Sequence, residues 1–355
     1  MALIYTDYFI LALFSADLTK KGTTVFHILQ GKRTASILYR AADYHLDCFF
    51  GLFPNIARDA FFQRLKQLVA LGYLTFFSEK EEYKQTVEGK EAIEHYFSHH
   101  YYPEKLQWMT HGRAVQEFQQ KIYFLTQIFS EIRHENSRYI PLEKSTTIQQ
   151  WAKQWLKQLP FELQMSAVQF GKEWSFLLAH LDSENAIIVV QSMSGHQIVG
   201  LTKKQLAERM SLETLEISMR EADTFSSLMD LARQHPKEAP LFHSIIQDIL
   251  QKNDNSLSKS AKETIQLVHK GYSLEQVTHL RNLKKSTVSE HIIEWAILFP
   301  TADIKPFIPK EIYTKAADLM RKNADYSFKE MQVLVPEMEF LWFRLMQIEG
   351  RRKCG

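Results

Sequence analysis

Lys284 and Lys285, followed by Ser286, Thr287 and Ser289, place cations and hydroxyls together where a helix is about to begin. That combination suits anion capture, because the first backbone N–H groups of a helix lack acceptors and the helix dipole favours negative charge there. Arg281 lies just upstream and would add a third cation. A second pair, Lys32 and Arg33, stands at the beginning of the helix that Gln30-Gly-Lys-Arg-Thr-Ala-Ser-Ile-Leu opens. Positive charge at a helix start opposes the dipole, so this pair either awaits an anion or is an ordinary exposed helix start. Phosphate is the expected ligand, and the expected contacts are Arg281, Lys284, Lys285, Ser286, Thr287 and Ser289, with Lys32 and Arg33 as a second set.

The elements that must position the first set are legible over residues 271–292. Ser273 with Gln276, and Thr287 with Glu290, have the spacing of capping boxes, in which a hydroxyl and an N3 side chain satisfy backbone donors reciprocally. Asn282 falls between them and tolerates a left-handed turn. Leu274, Val277, Leu280 and Leu283, then Val288, Ile292 and Trp295, give each helix an apolar face. Those faces would close on an upstream helix carrying Ala261, Ile265 and Val268, which predicts a compact tri-helical unit.

Other chemistries lack their residues. The chain has no His-Glu-x-x-His and no Gly-x-Ser-x-Gly, and Gly31-Lys-Arg-Thr fails as a nucleotide loop because Phe26 stands at its first glycine and Arg33 at its Ser/Thr. His95 and His99 share a helical face near His100, but no third ligand accompanies them. Cys48 and Cys354, the two cysteines, exclude a disulfide framework and a multi-cysteine zinc site, and point to a reducing compartment. The expectation is a non-enzymatic protein with no cofactor, no metal and no small-molecule substrate.

At 355 residues and 45% hydrophobic content the chain can bury two or three cores, and 24 Phe supply large packing groups. A net charge of +2 leaves attraction to a polyanion to local patches. The first residues lack a basic stretch ahead of an apolar run, and Tyr8 to Phe14 is too short to cross a bilayer, so a cytoplasmic protein without membrane contact is expected. The predicted fold is mainly α and multi-domain. Residues 1–103 form a winged-helix-like domain: a helix with Phe61, Leu65, Leu68 and Val69 on one side ends at Gly72, and a hairpin of two short strands follows. Residues 104–254 form a helical middle domain. It opens with the seam Val115, Phe118, Ile122, Leu125, Phe129 and Ile132, suited to a partner helix or to its own core. It also contains a helix-turn-helix-like step at Thr202 to Ser211, which serves either DNA or scaffolding. Residues 255–355 carry the helix-turn-helix domain and end in a helix bounded by Pro336 and Gly350, with Arg351-Arg352-Lys353 as a basic tail.

Ser258-Lys-Ser-Ala-Lys-Glu-Thr through Glu290-His-Ile-Ile resembles the helix-turn-helix domain appended to the C-terminus of many RecQ-type helicases. Its most specific pieces are Gly271-Tyr-Ser-Leu-Glu-Gln-Val, Arg281-Asn-Leu and Ser286-Thr-Val-Ser-Glu-His. Taken with His27-Ile-Leu-Gln-Gly-Lys-Arg-Thr and Phe49-Phe-Gly-Leu-Phe-Pro, the whole chain resembles the YpbB-like family of bacterial helix-turn-helix proteins. Thr278 and Asn282 stand where such units usually have Ala and Gly. The resemblance implies a separate polypeptide that assists a RecQ-type helicase in DNA repair or recombination.

The second helix of the unit offers Ser, Thr, Glu and His rather than the Arg, Asn or Gln that match base edges. Phosphate contacts that position without reading sequence are therefore expected. A transcription regulator, which needs a preferred sequence and spaced half-sites, and a pure protein-interaction scaffold are the alternatives.

Overall fold

The structure, a computed structural model, describes residues 3–252, 257–323 and 326–354. Among them helices dominate and a single small sheet is present. The expected boundary at 254/255 falls outside the described residues.

The N-terminal segment runs α1 (Tyr5–Ala12), β1 (Lys20–Lys21), α2 (Gly22–Gln30), α3 (Ala35–Asp43), a 3-10 turn (Asp47–Phe49), α4 (Arg58–Ala70), β2 (Leu74–Phe77), β3 (Glu82–Gln85) and α5 (Val87–Phe97). The winged-helix-like order is present, with one element more than the sequence pattern predicts. Beside the hairpin, Lys20 and Lys21 form a third strand, so the sheet order is β1-β3-β2 and both pairings are antiparallel. Two residues are too few to show an alternating pattern. What fixes this strand is tertiary: the buried Lys20 ammonium donates to the carbonyls of Leu13 at 2.9 Å and Tyr44 at 3.0 Å. Burial lowers its pKa to about 8.

Gly31 explains the local sequence that resembles a phosphate loop. It ends α2 in the left-handed region at φ 79°, and a Cβ there would lie 2.8 Å from the Cα of Gly51. The glycine is needed for a turn packed on the 3-10 segment, not for a nucleotide. Thr34 then caps α3, accepting from Ile37 N, so Lys32 and Arg33 lie in the turn ahead of the helix rather than in its first turn.

The middle segment comprises α6 (Trp108–Arg133), α7 (Thr146–Lys157), α8 (Leu163–Leu178), α9 (Ser183–Ser192), α10 (Lys203–Met210), α11 (Thr214–Gln234) and α12 (Pro240–Lys252). The α6 seam packs internally: Phe118 sits 6.2 Å from the rings of both Phe225 and Phe242. One buried cluster joins these side chains to Phe9, Leu29 and Phe61, so the first and middle segments share a core. The Thr202–Gln205 capping box forms as expected, and Ser211 makes the left-handed turn at φ 56°. The helix after that turn, α11, is buried along its length, and Glu213 before it takes the Tyr5 N–H and the Thr6 hydroxyl. This step therefore works as scaffold inside the core.

The remainder is α13 (Lys259–His269), α14 (Leu274–Leu280), α15 (Lys285–Leu298), α16 (Lys310–Lys322), α17 (Phe328–Leu334) and α18 (Phe340–Cys354). A second buried cluster holds Ile265, Ile292, Ile293, Leu341 and Leu345, and it recruits Ala35 and Tyr39 from α3. The last helix differs from expectation. Pro336 lies in the turn before it, Gly350 lies inside it, and the basic tail is folded in. Arg351 pairs with Asp43 and stacks 4.0 Å from the Tyr39 ring, while Arg352 donates to the carbonyls of Ala296, Phe299 and Ala302. Ala296 O, in the last turn of α15, has no intrahelical donor because position 300 is Pro, and the guanidinium satisfies it together with two carbonyls beyond the body of the helix.

Candidate nucleic-acid interface

Local chemistry builds the tri-helix. Ser258 caps α13 by accepting from Ala261 N at 3.2 Å. The Ser273–Gln276 capping box opens α14 with bonds of 3.2 and 2.8 Å. Asn282 adopts φ 49°, and Leu283 N reaches back to Thr278 O at 3.1 Å, closing the turn. Thr278, found where a smaller residue is usual, turns its hydroxyl to Leu274 O at 2.7 Å and so fits within its own helix. Val277 is the buried residue of α14, whereas Leu280, expected on its inner face, is 61% exposed.

The second expected capping box does not form. Helix α15 starts three residues earlier than the Thr287–Glu290 spacing implies: Lys284 is its N-cap, with no capping side chain, and Lys284 O already accepts from Thr287 N and Val288 N. The turn is complete by Leu283, so the helix nucleates at once, and Thr287 becomes an interior residue. The first N–H groups of α15 consequently have no side-chain acceptor.

The expected contact residues divide into those at this end and those withdrawn from it. Lys284, Lys285 and Ser286 are exposed, and Thr287 and Ser289 half-exposed, around the α15 N-terminus. Lys285 Nζ lies 2.8 Å from Glu339 Oε1, in a pair whose side chains are 63% and 39% exposed, so solvent and salt weaken it. Arg281 is not available for phosphate: its guanidinium is turned back onto α13, donating to Ser260 O and Oγ, to Thr264 Oγ1 at 2.6 Å and to Glu263 Oε2 at 2.6 Å. Arg33 is likewise engaged, 2.7 Å from the buried Glu294 carboxylate of α15. Lys32 stays exposed next to it. Because Glu294 follows Lys285 by nine residues, this second site lies about 14 Å along the helix from the first.

Glu294, which no sequence motif singles out, organises the region. One oxygen accepts from Arg33 and from Ser258 N at 2.9 Å; the other accepts from Ser258 Oγ at 3.1 Å. The turn before α3, the cap of α13 and the body of α15 thus meet on one carboxylate. A lone acid in the otherwise apolar run Ile292 to Leu298 was the available signal, since a buried charge requires a partner. From His291 onward α15 is buried, with Ile297 half-buried, so only its first turn and a half faces solvent.

His291 accompanies Glu294 in this buried stretch, with Nδ1 2.8 Å from Thr264 Oγ1. Burial holds its pKa below the ordinary 6.5, assisted by the Arg281 charge and opposed by Glu294 and Glu263. Folding therefore favours the neutral ring. The stability this group contributes is complete above about pH 6.5 and declines as pH falls from there toward the lowered value. The thermal midpoint should drop on acidification below pH 6.5, and a His291→Gln variant should drop less; equal slopes would count against the assignment.

The histidines considered for metal are otherwise occupied. His99 Nδ1 lies 2.8 Å from Ser98 Oγ and 3.2 Å from His95 O, and His100 stacks on Tyr96 at 4.0 Å. Among the described residues no group of three or more His, Cys, Asp or Glu is arranged to hold a metal ion. Nor, among them, is any helix long and apolar enough to cross a membrane.

A capped helix, a left-handed turn and a second helix packed on a third define a helix-turn-helix domain, and residues 260–347 match the family model described as a helix-turn-helix domain. The chain as a whole is similar to Protein YpbB of Bacillus subtilis (strain 168), 25% identical over 356 residues that cover 97% of each chain. The YpbB-like resemblance read from the sequence therefore holds over nearly the full length. No solved structure matches the chain.

Proposed function

We propose that this protein is a non-enzymatic, cytoplasmic accessory factor of a RecQ-type DNA helicase, acting in DNA repair or recombination, and that it holds DNA through phosphates at the α15 N-terminus. The observation that carries the reading is the uncapped start of α15 with Lys284, Lys285 and Ser286 exposed around it. Backbone donors, dipole and two ammonium groups converge there on one anion. The rest of the helix is buried, which leaves little of it to read base edges and favours positioning contacts over sequence recognition.

Replacing both Lys284 and Lys285 with Ala should weaken DNA binding uniformly across sequences. It should also reduce the slope of log affinity against log salt by at most about two, one for each phosphate that an ammonium group neutralises. An unchanged slope would remove these residues from the interface. For the partner, the purified chain should form a complex with the helicase and alter unwinding; the absence of both effects would end the helicase reading. Selection from random DNA should return no motif, and a recovered palindrome would replace the accessory factor with a transcription regulator.

A further inference from the structure

The winged-helix-like segment carries a different surface, whose inference is independent of the DNA reading. Strand β2 is an edge of the sheet. Thr86 N donates to Tyr73 O at 3.1 Å, and Gln85 N on the far side of β3 donates to Ser15 O at 3.0 Å. The alternation of an antiparallel ladder then turns the backbone groups of Thr75 and Phe77 toward β3 and those of Leu74 and Phe76 toward the open side. In the register Phe76↔Tyr83 and Phe77↔Glu82, the two phenylalanines lie on opposite faces of the strand. Phe76 and Phe77 are 43% and 42% exposed, although Phe76 also packs 4.8 Å from the Tyr83 ring.

Natural edges are usually blunted with Lys, Pro, a bulge or a covering element. This one ends in two exposed aromatics, and its register runs without a bulge. The turn that follows, Ser78-Glu-Lys-Glu-Glu, carries three carboxylates to one ammonium; Glu79 and Glu81 are exposed, and Glu82 accepts from Thr19 Oγ1 at 2.6 Å. That balance repels phosphate and attracts cations.

We propose that β2 is a docking edge for an extended basic segment of a protein partner, which adds a fourth strand beside Leu74 and Phe76. Alternate apolar residues of that segment cover Phe76, and the intervening Lys or Arg residues reach the Glu79–Glu82 turn. Backbone pairing supplies affinity, while the aromatic cover and the acidic turn select the sequence.

The test uses the full chain and a labelled octapeptide of alternating lysine and valine, with a glutamate–valine peptide as control. Binding of the basic peptide should slow hydrogen exchange at the amides of Leu74 and Phe76, and the acidic peptide should leave them unchanged. Phe76→Pro removes the outward donor while sparing the ladder to β3, and should weaken binding about tenfold. Glu79→Lys leaves the backbone edge intact and should weaken the basic peptide several-fold. Absence of exchange protection, or equal binding by wild type and both variants, overturns the proposal. So does protection of the same amides by oligothymidine, which would assign the aromatics to base stacking, or by an edge-to-edge dimer that Phe76→Pro dissolves.

Discussion

Glu294→Ala should lower the stability of the folded chain by about 3–5 kcal/mol, the range for breaking a buried ion pair by removing one partner. The Arg33 guanidinium would remain in a pocket where its side chain is 17% exposed, without the carboxylate that now lies 2.7 Å away. Ser258 would lose acceptors for both its backbone N–H and its hydroxyl at the start of α13. Arg113 would suffer too: burial and the Arg33 charge already lower its proton affinity, and Glu294 offsets them. Denaturant unfolding measures the loss. The double replacement of Arg33 and Glu294 by Leu should recover much of it, since both charges then leave the interior together. A single variant that unfolds at the wild-type midpoint would show that the carboxylate does not hold these elements.

Asp223→Ala should cost a comparable amount, roughly 3–5 kcal/mol, because one buried carboxylate ties the segment before α6 onto α11. Its oxygens accept from Glu104 N at 3.1 Å, Lys105 N at 2.6 Å and the Tyr101 hydroxyl at 2.6 Å. Truncation leaves two backbone donors unsatisfied, each worth about 1–3 kcal/mol when kept from water, and adds the loss of the tyrosine bond. Tyr101 reports the change independently. Burial raises its pKa first, and the Asp223 bond and charge raise it further, so the variant should ionise at lower pH while staying above an ordinary tyrosine. Ultraviolet titration reads this shift, and an unaltered curve would place Asp223 outside the phenol's environment. Asp223→Asn, which keeps an acceptor, should lose less.

Both carboxylates lie on helices whose sequence shows only an amphipathic or apolar pattern, and the limits of that pattern are physical. The Ser273 and Thr202 capping boxes and the left-handed Asn282 were legible because each is decided within a few residues, by one hydroxyl and one backbone turn. The cluster at Lys284 to Ser289 was readable for the same reason. The start of α15 was misplaced because the turn through Leu283 already satisfied the geometry that a Thr287 cap would have supplied. Arg281 and Arg33 looked like phosphate ligands because a guanidinium's partner is a tertiary fact. Glu263, Thr264 and Glu294 lie 18, 17 and 261 positions away in sequence. The strand at Lys20–Lys21 and the helical Gly350 were hidden likewise: two residues carry no pattern of their own, and packing overrode the stop that a glycine suggests.

The clasp between α18 and α3 bears on how the protein comes off the ribosome. Tyr39 is gripped by Arg344 at 3.8 Å and Arg351 at 4.0 Å, and the bond from Arg351 to the Tyr39 carbonyl joins residues 312 positions apart. Synthesis proceeds from the N-terminal side, so after α15 has packed on α3 the Tyr39 ring still waits for α18, far downstream of it. Interactions of such long sequence separation also form late and slowly. A nascent chain stalled before residue 344 would display the Tyr39 ring without its two guanidinium partners, and that half-finished surface is where chaperones should be found.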